Sequence, residues 1–387
     1  MDRELELSLI ERCFEHHAAG TTTSESRSAQ DTDRYQCRER YELERGQVFA
    51  RLPFPVAHAS TLVEINAFRS LETRLGPLLL TRNASGQSRL FYNSCRHRGS
   101  ILVTEDQGSA KRLTCPYHAW SYATDGSLVN VPEETSCFPG LEKSALGLLA
   151  IPCIERYGFI WACPGEEDPA AALDSHLGDM GGCLEWLGTD QLHQFDSTRR
   201  TWRANWKIVA EGGLETYHFA FAHRDTIGPH FQHNLAITDQ LGPHFRVVMP
   251  TRAMETAAGL PREQRHLRDF SHVLFSLMPT DSLLLQKGHI DWIKFRPLAV
   301  DETEITITSL IPENPDELSA NSARHWQRNL EFTDEVLAED FALGEGIQRS
   351  LASGALPQLN YGRNEWALKA FNDCVDSYCQ QGSNPGQ

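Results

Sequence analysis

Four residues constrain this chain more than any others: Cys95-x-His97 and, after seventeen intervening positions, Cys115-x-x-His118. Two thiolates and two imidazoles offered from two tight turns are a donor set for an iron–sulfur cluster of the mixed kind, with two Cys on one iron and two His on the other. Neutral imidazoles in place of two thiolates remove negative charge from such a cluster and raise its potential, which suits an electron relay better than a strong reductant. Structural zinc takes the same four donors, but zinc fingers order them Cys, Cys, His, His. Here the order is Cys, His, Cys, His.

A chain of 387 residues exceeds the roughly 250–300 at which single cores stop growing, so two domains of unequal size are expected. With 40% hydrophobic and 23% charged residues the composition is that of an ordinary globular protein, which excludes disorder along its whole length. The net charge of −16 argues against nucleic acid or anionic lipid as partner, since both are polyanions. The first residues lack a signal-like apolar stretch and no run reaches membrane-span length, so a cytoplasmic protein is expected. Thiols stay reduced there, and eight of the ten cysteines are read as ordinary buried thiols beside the two in the motif.

Residues 1–46 read as a helical N-terminal arm packing on the larger, C-terminal domain, broken at 20–33 by the polar run GTTTSESRSAQDTD, expected to be a loop. Residues 47–165 alternate short β-rich pieces (GPLLLTR, SRLFYNSC, RLTCPYHAWSY, GSLVNVP, GFIWACP) with turn residues and read as a small antiparallel β domain. GEEDPAA is expected to be a linker into a second domain spanning 166–387. There SHVLFSLM, DSLLLQ, HIDWIKFRP and EITITSLI suit an antiparallel meander and residues 319–352 one long helix, an α+β fold rather than a parallel wrap.

An electron relay alone needs only the first domain, and the second offers its own chemistry. Glu215-Thr-Tyr-His218 followed by His223 supplies two imidazoles and an acid. Two His and one carboxylate on one face of iron, with the remaining positions open, is the donor set of O₂-activating Fe(II) enzymes. Helical periodicity selects Asp340 as the carboxylate, because it shares an otherwise largely apolar stripe with Thr333, Leu337, Gly344, Ile347 and Leu351. A carboxylate buried there without a cation costs several kcal/mol. Glu339 falls with Glu335, Gly346 and Ser350 and is read as solvated, its removal nearly silent. Glu215 is placed one helical turn before His218, on nearly the same face.

NSCRHRGSILV followed by LTCPYHAWSYATDGSLV resembles the Rieske segment of the aromatic-ring-hydroxylating oxygenases, down to Arg98-Gly99, Pro116-Tyr117 and Trp120. Ala119 departs from the family's usual Gly. Respiratory Rieske proteins resemble it less, since the cysteines of their extra disulfide are replaced by Ser100 and Tyr117. The resemblance runs over about residues 35–370, including GRNEWALKAF near the end. It implies a small antiparallel-β Rieske [2Fe–2S] domain joined to a helix-grip catalytic domain, a cluster on Cys95, His97, Cys115 and His118, and mononuclear Fe(II) on His218, His223 and Asp340. It also implies a head-to-tail homotrimer in which Glu215 bridges a cluster histidine of one subunit to an iron histidine of the next. Many members have Asp at that place, and Glu215 is similar to those acting on quaternary ammonium compounds such as carnitine. Glu211 is often followed by Asn in the family, whereas here Gly212-Gly213 follow it.

The chain has no GxGxxG fingerprint for a dinucleotide, so a separate reductase or ferredoxin is expected as electron donor. A pure Rieske electron carrier and a zinc-stabilised binding module remain as rivals, separable by metal content and colour. The substrate stays open: His230, His233, Gln286 and His289 beside Phe219, Phe221, Phe231 and Trp292 suit either a polar or an aromatic pocket. Ring dihydroxylation, monohydroxylation and oxidative demethylation use the same metals.

Overall fold

The structure, a computed structural model, describes residues 1–20 and 26–381 and divides into two compact units, Phe49–His176 and Met1–Val48 with Leu177–Gln387. The fold is α+β, and among the described residues every strand pair is antiparallel.

The smaller unit is built of three sheets. Five strands run in the order Ala150–Ile151, Ser88–Tyr92, Gly76–Arg82, Ala67–Thr73 and Gln107–Ser109; Cys153–Arg156, Phe159–Ala162 and Phe54–His58 form a second sheet. Arg112–Thr114, Ser121–Ala123 and Leu128–Asn130 form the third. GPLLLTR shows why one strand can serve two cores: successive side chains point to opposite faces. Leu78 and Leu80 pack with Phe54, Val56 and Ile160, while Leu79 packs with Phe91, Cys95, Cys115 and Trp120.

The larger unit carries a seven-stranded sheet in the order His193–Trp202, Glu302–Ile311, Ile290–Ala299, Asp281–Leu285, Ser271–Leu277, His244–Pro250 and Ile237–Leu241. Its middle four strands are the expected meander, in register through Leu283 opposite Trp292 and Trp292 opposite Thr308. The long helix Ala320–Leu351 begins at Ser319, whose hydroxyl accepts from the Ser322 N–H at 3.1 Å, and lies against the strand His193–Trp202 in a helix-grip arrangement. Gly344 faces Ile208, Val209 and Ala204, and a Cβ there would stand in ordinary contact with them at 3.4–3.8 Å. Among the described residues no helix is long and apolar enough to cross a membrane.

Two local expectations are corrected. Residues 21–25 of the polar run lie outside the described residues, but Ser28–Asp31 is a strand paired with Gln358–Tyr361, and Thr32–Tyr35 is a 3-10 turn. The partner strand, remote in sequence, satisfies a backbone that its own polar side chains suggest is free. GEEDPAA is in part a helix start: the Asp168 carboxylate accepts from Ala170 and Ala171 N–H at 3.0 and 3.2 Å, and Pro169 opens the helix Pro169–Leu177.

Candidate metal centres

In the smaller unit, each half of the Cys/His motif is a closed turn. Cys95 N–H bonds to Ser100 C=O at 2.8 Å and Gly99 N–H to Cys95 C=O at 2.9 Å; Cys115 N–H bonds to Trp120 C=O at 2.8 Å and Ala119 N–H to Cys115 C=O at 3.0 Å. The equivalent closing positions, Gly99 at φ +74° and Ala119 at φ +56°, are both left-handed. That requirement explains the Gly usual at the second place, and Ala119 meets it under strain. Asn93 cross-links the ends of the first turn, accepting from Leu102 and Val103 N–H and donating to Val103 C=O.

The two thiols are buried and the two imidazoles half-buried, with His97 and His118 ring centroids 4.6 Å apart. All ten cysteines are free thiols. The His97 ring stacks on Trp120 at 4.9 Å and 9°, and its Nδ1 is buried without a hydrogen-bond partner. A buried unpartnered imidazole nitrogen is costly unless an ion takes its lone pair, so the donor set fits the cluster. Burial raises the Cys115 thiol, but N–H groups of Tyr117 and His118 outweigh it and favour the thiolate. Tyr122, fully buried, lies with its hydroxyl 3.4 Å from Cys95 Sγ and accepts from Arg96 N–H at 3.0 Å.

In the larger unit, the helix Trp206–Glu211 is capped by Asn205, passes through a 3-10 turn at Gly212–Leu214 and gives way to Glu215 in extended conformation, φ −144° and ψ 167°. Glu215 is therefore not on a helix with His218, as the spacing suggests. Its carboxylate instead closes a turn, accepting from the N–H groups of Tyr217 and, at 3.3 Å, His218, while its other oxygen meets His218 Nδ1. The short helix Phe219–Ala222 then delivers His223, and Gly228 donates to His223 C=O at 2.8 Å. A Cβ on Gly228 would come within 2.7 Å of that carbonyl oxygen, so only glycine fits behind the second histidine.

The structure brings His218, His223 and Asp340 together, with ligand atoms within 4.8 Å of one another. Asp340 Oδ1 stands 3.4 Å from His218 Nε2 and 2.9 Å from His223 Nε2, yet neither buried Nε2 makes an aligned hydrogen bond. Burial pushes both imidazoles down, but Glu215 and Asp340 raise His218, and Asp340 and Glu339 raise His223, above the usual value. Three carboxylates converge on two imidazoles whose Nε2 atoms point at one place, a concentration of negative charge that a divalent cation neutralises. The fit to a mononuclear metal is good.

Glu339 overturns the expectation of a solvated bystander: its Oε2 accepts from His223 Nδ1 at 2.6 Å and from Thr226 Oγ1 at 2.8 Å. Helical periodicity assigns a face to the backbone, and the longer glutamate reaches around it. Within the predicted stripe Thr333, Gly344 and Leu351 are buried, whereas Ile347 is 43% exposed.

Beside the triad lies a cleft of about 920 Å³ open to solvent, whose walls are mainly apolar. Of the residues suggested by sequence, Phe219, Phe231 and Gln286 line it; His230, His233, Phe221, His289 and Trp292 do not. Gly212 and Gly213 line it too, and a Cβ on Gly213 would press to 2.7 Å of Leu274. Sequence reasoning missed His272, Phe295 and Phe341, which sit on elements whose inward faces only the assembled sheet and helix define.

Two family models match the chain: the Rieske [2Fe-2S] domain over residues 53–151 and the ring hydroxylating alpha subunit (catalytic domain) over residues 189–381. Over 192 residues the chain is 33% identical to the N,N-dimethyl phenylurea N-demethylase subunit alpha of Sphingobium sp. (strain YBL2), covering 47% of this chain and 41% of that protein. Over 182 residues it is 32% identical to the biphenyl 2,3-dioxygenase subunit alpha of Rhodococcus jostii (strain RHA1), covering 44% and 38%. These matches thus span less than half the length of the curated relatives. Among solved structures, the quaternary ammonium Rieske monooxygenase CntA in complex with an inhibitor superposes with a TM-score of 0.77 over 90% of this chain and 95% of that chain, at 22% identity. Naphthalene 1,2-dioxygenase from Rhodococcus sp. bound to indole superposes with a TM-score of 0.76 over 99% and 100%, at 17% identity. At these identities the likeness is one of fold.

Proposed function

Because this chain belongs to the Rieske non-haem iron ring-hydroxylating oxygenase family as an alpha subunit, we propose that it is a terminal oxygenase component acting on a small, largely apolar organic substrate. When bound, a [2Fe–2S] cluster and a mononuclear Fe(II) supply single-electron delivery and O₂ activation. Cys95, His97, Cys115 and His118 would hold the first, and His218, His223 and Asp340 the second.

The observation that carries the reading is the pair of carboxylates behind the triad, Glu215 on His218 Nδ1 and Glu339 on His223 Nδ1. Each fixes the tautomer that leaves a bare Nε2 lone pair toward Asp340, the state needed for ligation. Apolar walls beside the triad suit a hydrocarbon body that displaces water on binding, so the chain's own work is orientation and desolvation. A separate reductase or ferredoxin supplies electrons, and a homotrimer places Glu215 to join the two metal sites across subunits.

The test is a single turnover. Anaerobic protein with both groups loaded and reduced is mixed with isotopically labelled O₂ and a panel of aromatic compounds. Label incorporated into an organic product supports the proposal; cluster oxidation without any labelled product leaves an electron carrier.

A further inference from the structure

Beyond the triad, four polar side chains reach the cleft: His272, Ser282, Gln286 and Thr333. Behind Gln286 sits Asp291, fully buried on the central strand Ile290–Ala299. Its Oδ2 accepts from Gln286 Nε2 at 2.6 Å and from Thr333 Oγ1 at 2.9 Å, with His289 Nε2 at 3.4 Å; its Oδ1 accepts from Ser309 Oγ at 2.6 Å. Gln286 Nε2 also donates to Thr333 Oγ1 at 3.0 Å.

This ring has one consistent assignment of protons. A carboxylate only accepts, so the Gln286 amide must turn its NH₂ inward, and the Thr333 hydroxyl spends its proton on Asp291. Both Gln286 protons are then committed. The amide oxygen, Oε1, is left as a hydrogen-bond acceptor without a protein partner. The reversed amide would set oxygen against oxygen at 2.6 Å.

Charge on the wall is scarce. Burial, with the neighbouring His289, pushes His272 down to about 4, so it is neutral near pH 7. Asp291 is fully enclosed and its acceptors are used. Thr333 and Asp340 lie seven residues apart on one helix, so Gln286 stands roughly 10 Å along the helix axis from the triad.

We propose that Gln286 Oε1 is the specificity contact of this cleft, accepting from one N–H or O–H group of a neutral, otherwise apolar aromatic substrate whose oxidised carbon lies at the opposite end. The inference rests on the reading of this cleft as the substrate site. It selects arylamines, anilides and phenols over quaternary ammonium compounds, which have no proton to give and no free carboxylate here to meet.

The experiment is equilibrium dialysis of the anaerobic, metal-loaded protein against indole, its donor-less isostere benzofuran, and the phenyltrimethylammonium ion. Binding is read without turnover, so failure of the oxygenase proposal would show separately in the labelled-O₂ experiment. In the wild type indole binds more tightly than phenyltrimethylammonium. In Gln286→Met, which keeps length but removes the acceptor, the indole preference over benzofuran falls about tenfold, the size of one hydrogen bond. Asp291→Asn, which frees the amide to rotate, moves the preference the same way, and a variant is scored only if its cluster spectrum and thermal midpoint show it folded. The proposal is overturned by an indole preference unchanged in Gln286→Met, by tighter binding of the cation, or by no measurable binding of indole. Should neither variant fold, the wild-type ranking of the three probes decides.

Discussion

Glu339 Oε2 lies 2.6 Å from His223 Nδ1, while Asp340, the next residue on the helix, reaches Nε2 of the same ring at 2.9 Å. Adjacent helical carboxylates thus take the two nitrogens of one imidazole, one as orienting partner and the other beside the metal position. Glu339→Gln keeps the shape and removes the charge. It is expected to weaken iron binding about 10–100-fold, as loss of such a partner does elsewhere. Iron titration of the apoprotein measures this; wild-type affinity would falsify the role.

The Tyr122 hydroxyl can only donate to a ligated Cys95 sulfur, which then carries no proton. Such a bond draws charge from the cluster and favours its reduced form. Tyr122→Phe should lower the cluster's reduction potential without changing its iron content. Spectroelectrochemistry decides, and an unchanged potential would show that the contact does not tune the cluster.

Ala119 sits at φ +56°, where an L-residue is strained by about 1 kcal/mol or more. Ala119→Gly should stabilise the smaller unit by about that amount, less the added freedom of glycine in the unfolded chain. Denaturant unfolding followed at the cluster absorbance tests it, and a destabilised variant would contradict the strain argument.

Glu211 is buried among Tyr35, Tyr361 and Asn372, and burial pushes its carboxyl up to about 7 against the pull of their hydrogen bonds and of Lys207. The folded value lies above the ordinary carboxyl value of 4.5, so the folded state holds this proton more tightly. Its contribution to stability is complete below about 4.5 and disappears as pH rises through about 7. Glu211→Gln should therefore lose less stability than the wild type between pH 5 and pH 8, compared by urea unfolding. Parallel curves would place the proton elsewhere.

The parts of this protein legible in sequence are those where chemistry or periodicity is local. Cys95, His97, Cys115 and His118 announce themselves by ligand type and spacing, His218 and His223 by proximity, and the central meander and long helix by uninterrupted patterns. What stayed hidden depends on distant partners or on side-chain reach. Ser28–Asp31 is a strand only because Gln358–Tyr361 pairs with it, and Phe54–His58 hides behind its proline. Glu215 leaves the helix because its carboxylate prefers the backbone of its own turn. No periodicity foretells that Gln286, Asp291 and Thr333, from two strand ends and a helix, close one ring of hydrogen bonds.

Two independent iron sites on one chain are separated by iron per chain in wild type and Asp340→Ala, with the cluster spectrum recorded on the same samples. About three irons are expected in the wild type, two in the cluster and one on the triad, falling to about two in Asp340→Ala with the cluster spectrum unchanged. About three irons retained in Asp340→Ala, or a cluster spectrum lost along with the third iron, would contradict it.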